Sequence, residues 1–282
     1  MQDFRADLHC HSTFSDGSKT PKEIVLQAKR NGLSGLSITD HDTIDAYETA
    51  FSIAADHSLD LIPGVEFSAE HRGHSVHILG YSFSTKSLFI QQLCQKHFQR
   101  RIRRYKAILE LLARESMPIS EQELTEQYPS HTNIGRPHIA LVMVKKGYVK
   151  SLEEAFFRFL AEGKSCYVKG ESFSVEETIR VIHEGGGLAI IAHPHLMKRR
   201  DILKDLLDMN FDGIEGYYAN FGIEENKRWI DIGKKKKWII TGGSDSHGNI
   251  KPQITLGCSW VGESTFHILK QHLMRHGKDS LP

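Results

Sequence analysis

Along this chain, short apolar runs alternate with longer stretches of helical periodicity, and the alternation is interrupted once. The strand-like runs are FRADLH (4–9), LSGLSIT (33–39), LDLIPGVEF (59–67) and SVHILGY (75–81), then LAIIAH (188–193), FDGIEGY (211–217), WIITGG (238–243) and GCSWVG (257–262). Helices between them carry start signals. TPKE (20–23) reads as a capping box with Pro at the first helical position, and that helix closes at Asn31-Gly32. A second helix is expected from Asp42-Thr43, with Asp42 as its N-cap, and SVEE (174–177) opens another. Strand–helix repetition predicts an α/β fold of parallel strands joined by right-handed crossovers. Seven or eight such units would close into an irregular barrel of the TIM type.

From about residue 83 to 168 the strands disappear. SLFIQQLCQKHFQRRIRRYKAILELLARES, SEQELTEQY and SLEEAFFRFLAEG all read as helical. The expected organisation is a barrel of residues 1–82 plus 169–282, with residues 83–168 inserted as an all-helical subdomain.

Polar residues recur at the ends of the strands. His9 and His11 end the first, with Asp16 in the loop beyond; Asp40, His41 and Asp42 follow the second; Glu66 ends the third. His74 and His77 bracket the start of the fourth, His193 and His195 end the fifth, Glu215 lies in the sixth, and Asp245 and His247 follow the seventh. In a parallel barrel those ends converge on one face, where active sites lie. His and carboxylate oxygen without thiolate suit Zn, Mn or Fe in a catalytic, partly open site. Nine candidate ligands (His9, His11, Asp16, His41, Glu66, His77, His193, Asp245 and His247) exceed what one ion takes. Two or three divalent ions, sharing Glu66 or Asp245 as a bridge, would use them. Asp40 is expected to orient a ligand imidazole from behind, Glu215 is open between a site role and a structural one, and Cys10 should face the core because strand side chains alternate.

Composition narrows the class. The 282 residues carry a formal charge of +1, so no overall field selects nucleic acid or anionic membrane, and 39% hydrophobic content is ordinary for a globular chain. Seventeen histidines is high for this length, and His is both the proton carrier of neutral pH and the commonest metal ligand. The four cysteines (Cys10, Cys94, Cys166, Cys258) are scattered, which argues against a zinc knuckle or disulfide scaffold. The start MQDFRADLHC lacks the pattern of a secretory signal, and no apolar run approaches the roughly 20 residues of a membrane span. A cytoplasmic protein without membrane partner or obligate protein partner is expected.

DLHCHSTFSDGS, ITDHDT, IPGVEFS, HILGY, AHPH and GGSDSH resemble, in order and over nearly the whole chain, the successive motifs of the PHP (polymerase and histidinol phosphatase) family. The helical insertion with IGRPHIA (134–140) is similar to the branch of nucleoside 3′,5′-bisphosphate phosphatases and short-RNA 5′→3′ exonucleases. The resemblance implies a distorted seven-stranded barrel, a trinuclear metal centre and the nine ligands above. It also implies hydrolysis of phosphate esters of nucleotides by a metal-activated water, with phosphate as a product and no Ser or Cys nucleophile. In AHPHLMKRR, His195 stands where other members have Gly or another residue.

RPH (136–138) is the substrate-binding candidate: Arg136 offers a planar, bidentate phosphate donor and His138 a second. Read as local structure, the same residues simply start a helix. His195, Lys198, Arg199 and Arg200 could contact another phosphate or form a solvated basic loop. QRRIRRYK (99–106) is expected to be a solvated helix, KKKK (234–237) surface, and GGG (185–187) a turn. A histidinol-phosphatase-like phosphomonoesterase is the nearest alternative. An amidohydrolase shares the HxH start, but HSVHILGYS lacks its bridging Lys. An inactive nucleic-acid-binding module would show lost ligands, and the full set is present.

Overall fold

The computed structural model describes residues 3–128 and 133–276 and divides them into two compact units, residues 1–94 with 173–282 and residues 95–172. The first is an α/β unit. Three short parallel strands, β1 (Ala6–Asp7), β2 (Gly35–Leu36) and β3 (Asp60–Leu61), form one sheet. A second sheet runs in the order β4 (Gly64–His71), β5 (His74–Tyr81), β6 (Leu188–Ile191), β7 (Gly213–Tyr218), β8 (Ile239–Gly243). Backbone hydrogen bonds link the two: Leu8 N–H donates to Gly242 O, Asp245 N–H to His9 O, Asp42 N–H to Glu66 O and Glu66 N–H to Asp40 O.

One departure from the expected all-parallel pattern is local. β4 pairs with β5, and β5 with β6, in antiparallel register. The β4–β5 connection is only Arg72-Gly73, both with positive φ (48° and 84°), closing His71 onto His74. Two left-handed residues make the tight turn whose twist matches a hairpin. Only seven residues separate the end of the 59–67 run at Phe67 from the start of the next run at Ser75, which leaves no room for a crossover helix. The GCSWVG run contributes a single bridge, Ala6 to Val261, rather than a strand.

Helices α1 (Pro21–Arg30), α2 (Tyr47–Asp56), α7 (Val175–Glu184), α8 (Arg200–Leu207), α9 (Ile223–Lys236) and α10 (Glu263–His276) belong to this unit. The Thr20/Glu23 capping box forms as expected. α2, however, starts at Tyr47 rather than at Asp42. Asp42 has φ 60° and accepts from the Ser68 backbone N–H (2.7 Å) and hydroxyl (3.0 Å), so its carboxylate ties the loop to β4 and caps no helix. From α2, the Tyr47 hydroxyl accepts from the N–H groups of Ile38 and Gly64, fixing two site-bearing segments to one buried point. Cys10, Ile38, Val65, Phe67, Ile78 and Ile191 pack in the main core, and Leu8, Leu79, Tyr81 and Ile190 in a second cluster.

The second unit is helical. It comprises most of α3 (Leu88–Arg114), with α4 (Glu121–Gln127), α5 (Arg136–Lys145) and α6 (Leu152–Ala155), the last continuing into a π turn at Phe156–Leu160. Its own core is built on Ile108, Leu112, Ile139, Met143 and Leu160. The α3 basic run is not simply a solvated face. Arg100 is 8% exposed, and Arg104 donates from Nε to Val168 O at 2.9 Å, while Arg103 and Lys106 stay exposed. The KKKK run ends α9 on the surface, and Gly185–Gly187 form the turn after α7. Among the described residues no helix is long and apolar enough to cross a membrane.

Candidate metal centre

His9 and His11 enter the site together because they lie on one face of the extended chain beyond β1, with Cys10 turned into the core between them and its thiol against Ser37 O. Strands and the segments that follow them supply the rest, Glu66 and His77 from within strands rather than at their ends. Asp16 comes back from the loop after β1, His41 follows β2, Glu66 lies in β4, His77 in β5, His193 follows β6, and Asp245 and His247 follow β8. His193 and Asp245 reach inward from backbone with positive φ (27° and 55°), a costly conformation for residues bearing a Cβ.

Glu66 lies at the centre. Its Oε2 is 3.3, 3.2 and 3.2 Å from His9 Nε2, His11 Nε2 and His41 Nδ1, and its Oε1 is 2.9 and 2.8 Å from His77 Nδ1 and His193 Nε2. Asp245 Oδ1 lies 3.1 Å from His11 Nε2 and 3.5 Å from His9 Nε2. Asp16 reaches His247 at 3.3 Å and His41 and His11 at 3.8 Å. Three overlapping groups of donors could each hold an ion: His11, Asp16, His41 and His247; His9, His11, Glu66 and Asp245; and His41, Glu66 and His77.

The donor set fits divalent metal. It is all nitrogen and carboxylate oxygen, and His9 Nε2, His11 Nε2 and Asp16 Oδ1 are buried without a hydrogen-bond partner. Buried polar atoms without partners are costly unless something else engages them. The electrostatics agree. Burial alone would raise the carboxyls of Glu66, Asp245 and Asp16, but the imidazoles around them hold all three well below the usual carboxylate range. Burial drives His41 down to about 3, whereas His11, also desolvated, is pushed up to about 9 by Asp245 and Glu66. These carboxylates demand positive charge at their centre.

Supporting contacts differ from the expected ones. The carboxylate that engages a site imidazole from behind is Glu215: Oε1 lies 2.9 Å from His9 Nδ1, and Oε2 accepts the His193 N–H at 2.6 Å. Asp40 instead accepts from Ser12 N (2.7 Å), Ser12 Oγ (2.5 Å) and Ser15 Oγ (2.6 Å), and so organises the loop that carries Asp16. Tyr218 and Lys251, unremarkable in the sequence, both reach Asp245 Oδ2, at 2.7 and 3.0 Å. No sequence motif flags either: Tyr218 is brought to Asp245 by β7 lying beside β8, and Lys251 by the loop after His247.

The remaining candidates are placed as follows. His195 packs its ring on Tyr218, Phe221 and Trp229, with Nε2 3.0 Å from Asn226 Oδ1. Its surroundings desolvate it and hold its pKa down at about 4, so it is neutral at pH 7. Arg199 pairs with Asp201 and lies 2.9 Å from His74 at the surface. Arg136 and His138 belong to the helical unit. Arg136 begins α5, donates to Leu160 O at 3.1 Å and lies over the rings of Phe156 and Tyr167. His138 Nδ1 accepts the Gly135 N–H at 2.9 Å, closing the helix start. Burial lowers the pKa of Arg104 to about 9, with Arg136, Arg101 and Arg100 adding like charge, so the unit gathers four guanidiniums.

Comparison with known proteins gives this geometry a context. The PHP domain matches residues 7–185. The chain is 32% identical over 260 residues to a 5′-3′ exoribonuclease of Haemophilus influenzae (90% of this chain, 91% of the relative). It is 29% identical over 245 residues to a phosphoribosyl 1,2-cyclic phosphate 1,2-diphosphodiesterase of Eggerthella lenta (86% and 94%). It is 27% identical over 246 residues to a 3′,5′-nucleoside bisphosphate phosphatase of Chromobacterium violaceum (86% of each). A crystal structure from Bifidobacterium adolescentis, described as a metal-dependent phosphoesterase, superposes with a TM-score of 0.86 at 30% identity, covering 95% of this chain and 96% of that one.

Proposed function

Since the chain belongs to the PHP domain family and is a metal-dependent nucleotide phosphoesterase, we propose that it hydrolyses the 3′-phosphate of nucleoside 3′,5′-bisphosphates, removes nucleotides 5′→3′ from short RNA, or both. The observation that carries this reading is the set of three overlapping donor groups joined through His11, His41 and Glu66. An arrangement that shares donors suits two or three neighbouring ions, Mn, Fe or Zn, rather than one isolated structural ion. We further read the two sheets and the backbone bonds between them as a distorted (β/α)7 barrel, a reading supported by the bonds from Leu8 to Gly242 and from Asp42 to Glu66.

In this reading His9, His11, Asp16, His41, Glu66, His77, His193, Asp245 and His247 hold the ions. Bound divalent ions would lower the pKa of water from 15.7 toward about 7 and neutralise charge on a phosphoryl group. The protein's own residues prepare the site. Glu215 fixes the His9 ring so that Nε2 faces inward, and Asp40 braces the Asp16 loop through Ser12 and Ser15. Arg136 and His138, with the neighbouring guanidiniums of the helical unit, would bind a phosphate or the nucleotide backbone. His195, neutral and ring-stacked, would serve a substrate as a π surface rather than as a cation. Four free thiols support a reducing, cytoplasmic setting.

The test is phosphate or nucleotide release by the Mn²⁺-loaded protein. The panel is adenosine 3′,5′-bisphosphate, mononucleotides, histidinol phosphate, phosphoribosyl cyclic phosphate and 5′-phosphorylated short RNA. Turnover of the bisphosphate or the RNA at least tenfold above the others is expected. Preference for histidinol phosphate or the cyclic phosphate would overturn the substrate assignment.

A further inference from the structure

We infer that Lys251 is a substrate-binding residue, whose ammonium group leaves Asp245 to bind a non-bridging oxygen of the scissile phosphate. This rests on the phosphoesterase reading of the metal centre. Lys251 Nζ lies 3.0 Å from Asp245 Oδ2, its side chain is 36% exposed, and it follows His247 by four residues.

Charge bookkeeping motivates the assignment. Asp16, Glu66, Asp245 and Glu215 bring four negative charges to the cluster. Two divalent ions already match them, and three exceed them. A fixed ammonium beside that cluster is then surplus, and repelled, unless an anion arrives with the substrate. A phosphate ester is such an anion, and lysine on its flexible four-carbon stem binds phosphate as a mobile point charge.

The second observation concerns what remains at Asp245 when the lysine turns away. Tyr218 Oη donates to the same Oδ2 at 2.7 Å, while Oδ1 alone faces His11 and His9 at 3.1 and 3.5 Å. Oδ2 therefore keeps a neutral donor, the carboxylate stays oriented with Oδ1 inward, and Lys251 is free to change partner. Tyr218 in this scheme is a positioning residue and Lys251 the one that touches substrate.

K251M and K251R separate this from a purely structural ion pair. Inorganic phosphate is titrated calorimetrically into Mn²⁺-loaded wild type and variants, and bound Mn is counted by elemental analysis. Phosphate affinity should fall roughly 10- to 100-fold in K251M. K251R should retain most of it, with Mn content equal in all three, and KM for the nucleotide substrate should rise more than kcat falls. If K251M binds phosphate as wild type does, or loses Mn in proportion to its lost phosphate affinity, the assignment is overturned while the phosphoesterase reading stands. If Mn²⁺-loaded wild type binds no phosphate and releases none from any nucleotide, both fall.

Discussion

At the scale of single residues, the clearest leverage is on groups that hold imidazoles rather than on the imidazoles themselves. Glu215 touches His9 Nδ1 and the His193 backbone at once. E215Q should weaken Mn²⁺ binding by about 10- to 100-fold, read by chelator competition, because loss of such outer contacts costs metal affinity on that scale. Away from the site, His183 Nε2 lies 2.7 Å from Asp212 Oδ2, and that bond raises its pKa above the ordinary 6.5. The native protein thus holds this proton more tightly than the unfolded chain does. The stabilisation is complete below pH 6.5 and is lost as pH rises through the higher native value. Wild type should therefore exceed H183Q in denaturant stability by more at pH 5.5 than at pH 8.5, the difference staying below about 1 kcal/mol because the pair is partly exposed.

At the scale of elements, what could be read from the chain and what could not have separate physical causes. The HxH of His9 and His11 was legible because period-two alternation fixes a face, and the recurrence of His or carboxylate after each strand made convergence the economical reading. The β4–β5 hairpin was passed over although Arg72-Gly73 sits between two apolar runs; a turn of two left-handed residues has no strong signature unless its first residue is Asn or Asp. The start of α2 was misplaced because Asp42 resembles a cap, and its true partner, Ser68, is 26 residues away. The burial of Arg100 depended on a second core that local periodicity does not reveal. The hairpin offers a test of its own. G73A keeps φ near 84° only at a Cβ penalty, since nothing lies within 4 Å to clash, and should cost about 1 kcal/mol in urea unfolding.

At the scale of the whole molecule, ions bound at the candidate centre would couple metal binding to folding. The nine candidate ligand side chains come from six segments that are separate in sequence, residues 9–16, His41, Glu66, His77, His193 and residues 245–247, so ions would tie the β1, β2, β4, β5, β6 and β8 segments together only in the native state. Saturating Mn²⁺ at about 100 times its Kd should stabilise the metal-stripped protein by about 2.7 kcal/mol. That corresponds to a rise in Tm of roughly 5–10 °C, and EDTA should reverse it in differential scanning fluorimetry. A constant Tm across the titration would contradict the coupling. Tyr218 and Lys251 show why part of the site escaped the sequence: each is one ordinary residue whose meaning comes from β7 lying beside β8 and from the loop after His247.

The left-handed backbone at His193 and Asp245 carries a cost that the fold bears on behalf of the site. H193G and H193A both delete the imidazole, but glycine alone accepts φ 27° without penalty, so H193G should be the more stable by roughly 1 kcal/mol in chemical denaturation. Selection for a durable protein and selection for a working one thus pull in opposite directions at those two positions. A descendant of this chain released from its chemistry would gain stability by drifting there to Gly or Asn, so decay of the enzyme would begin with mutations that improve the fold.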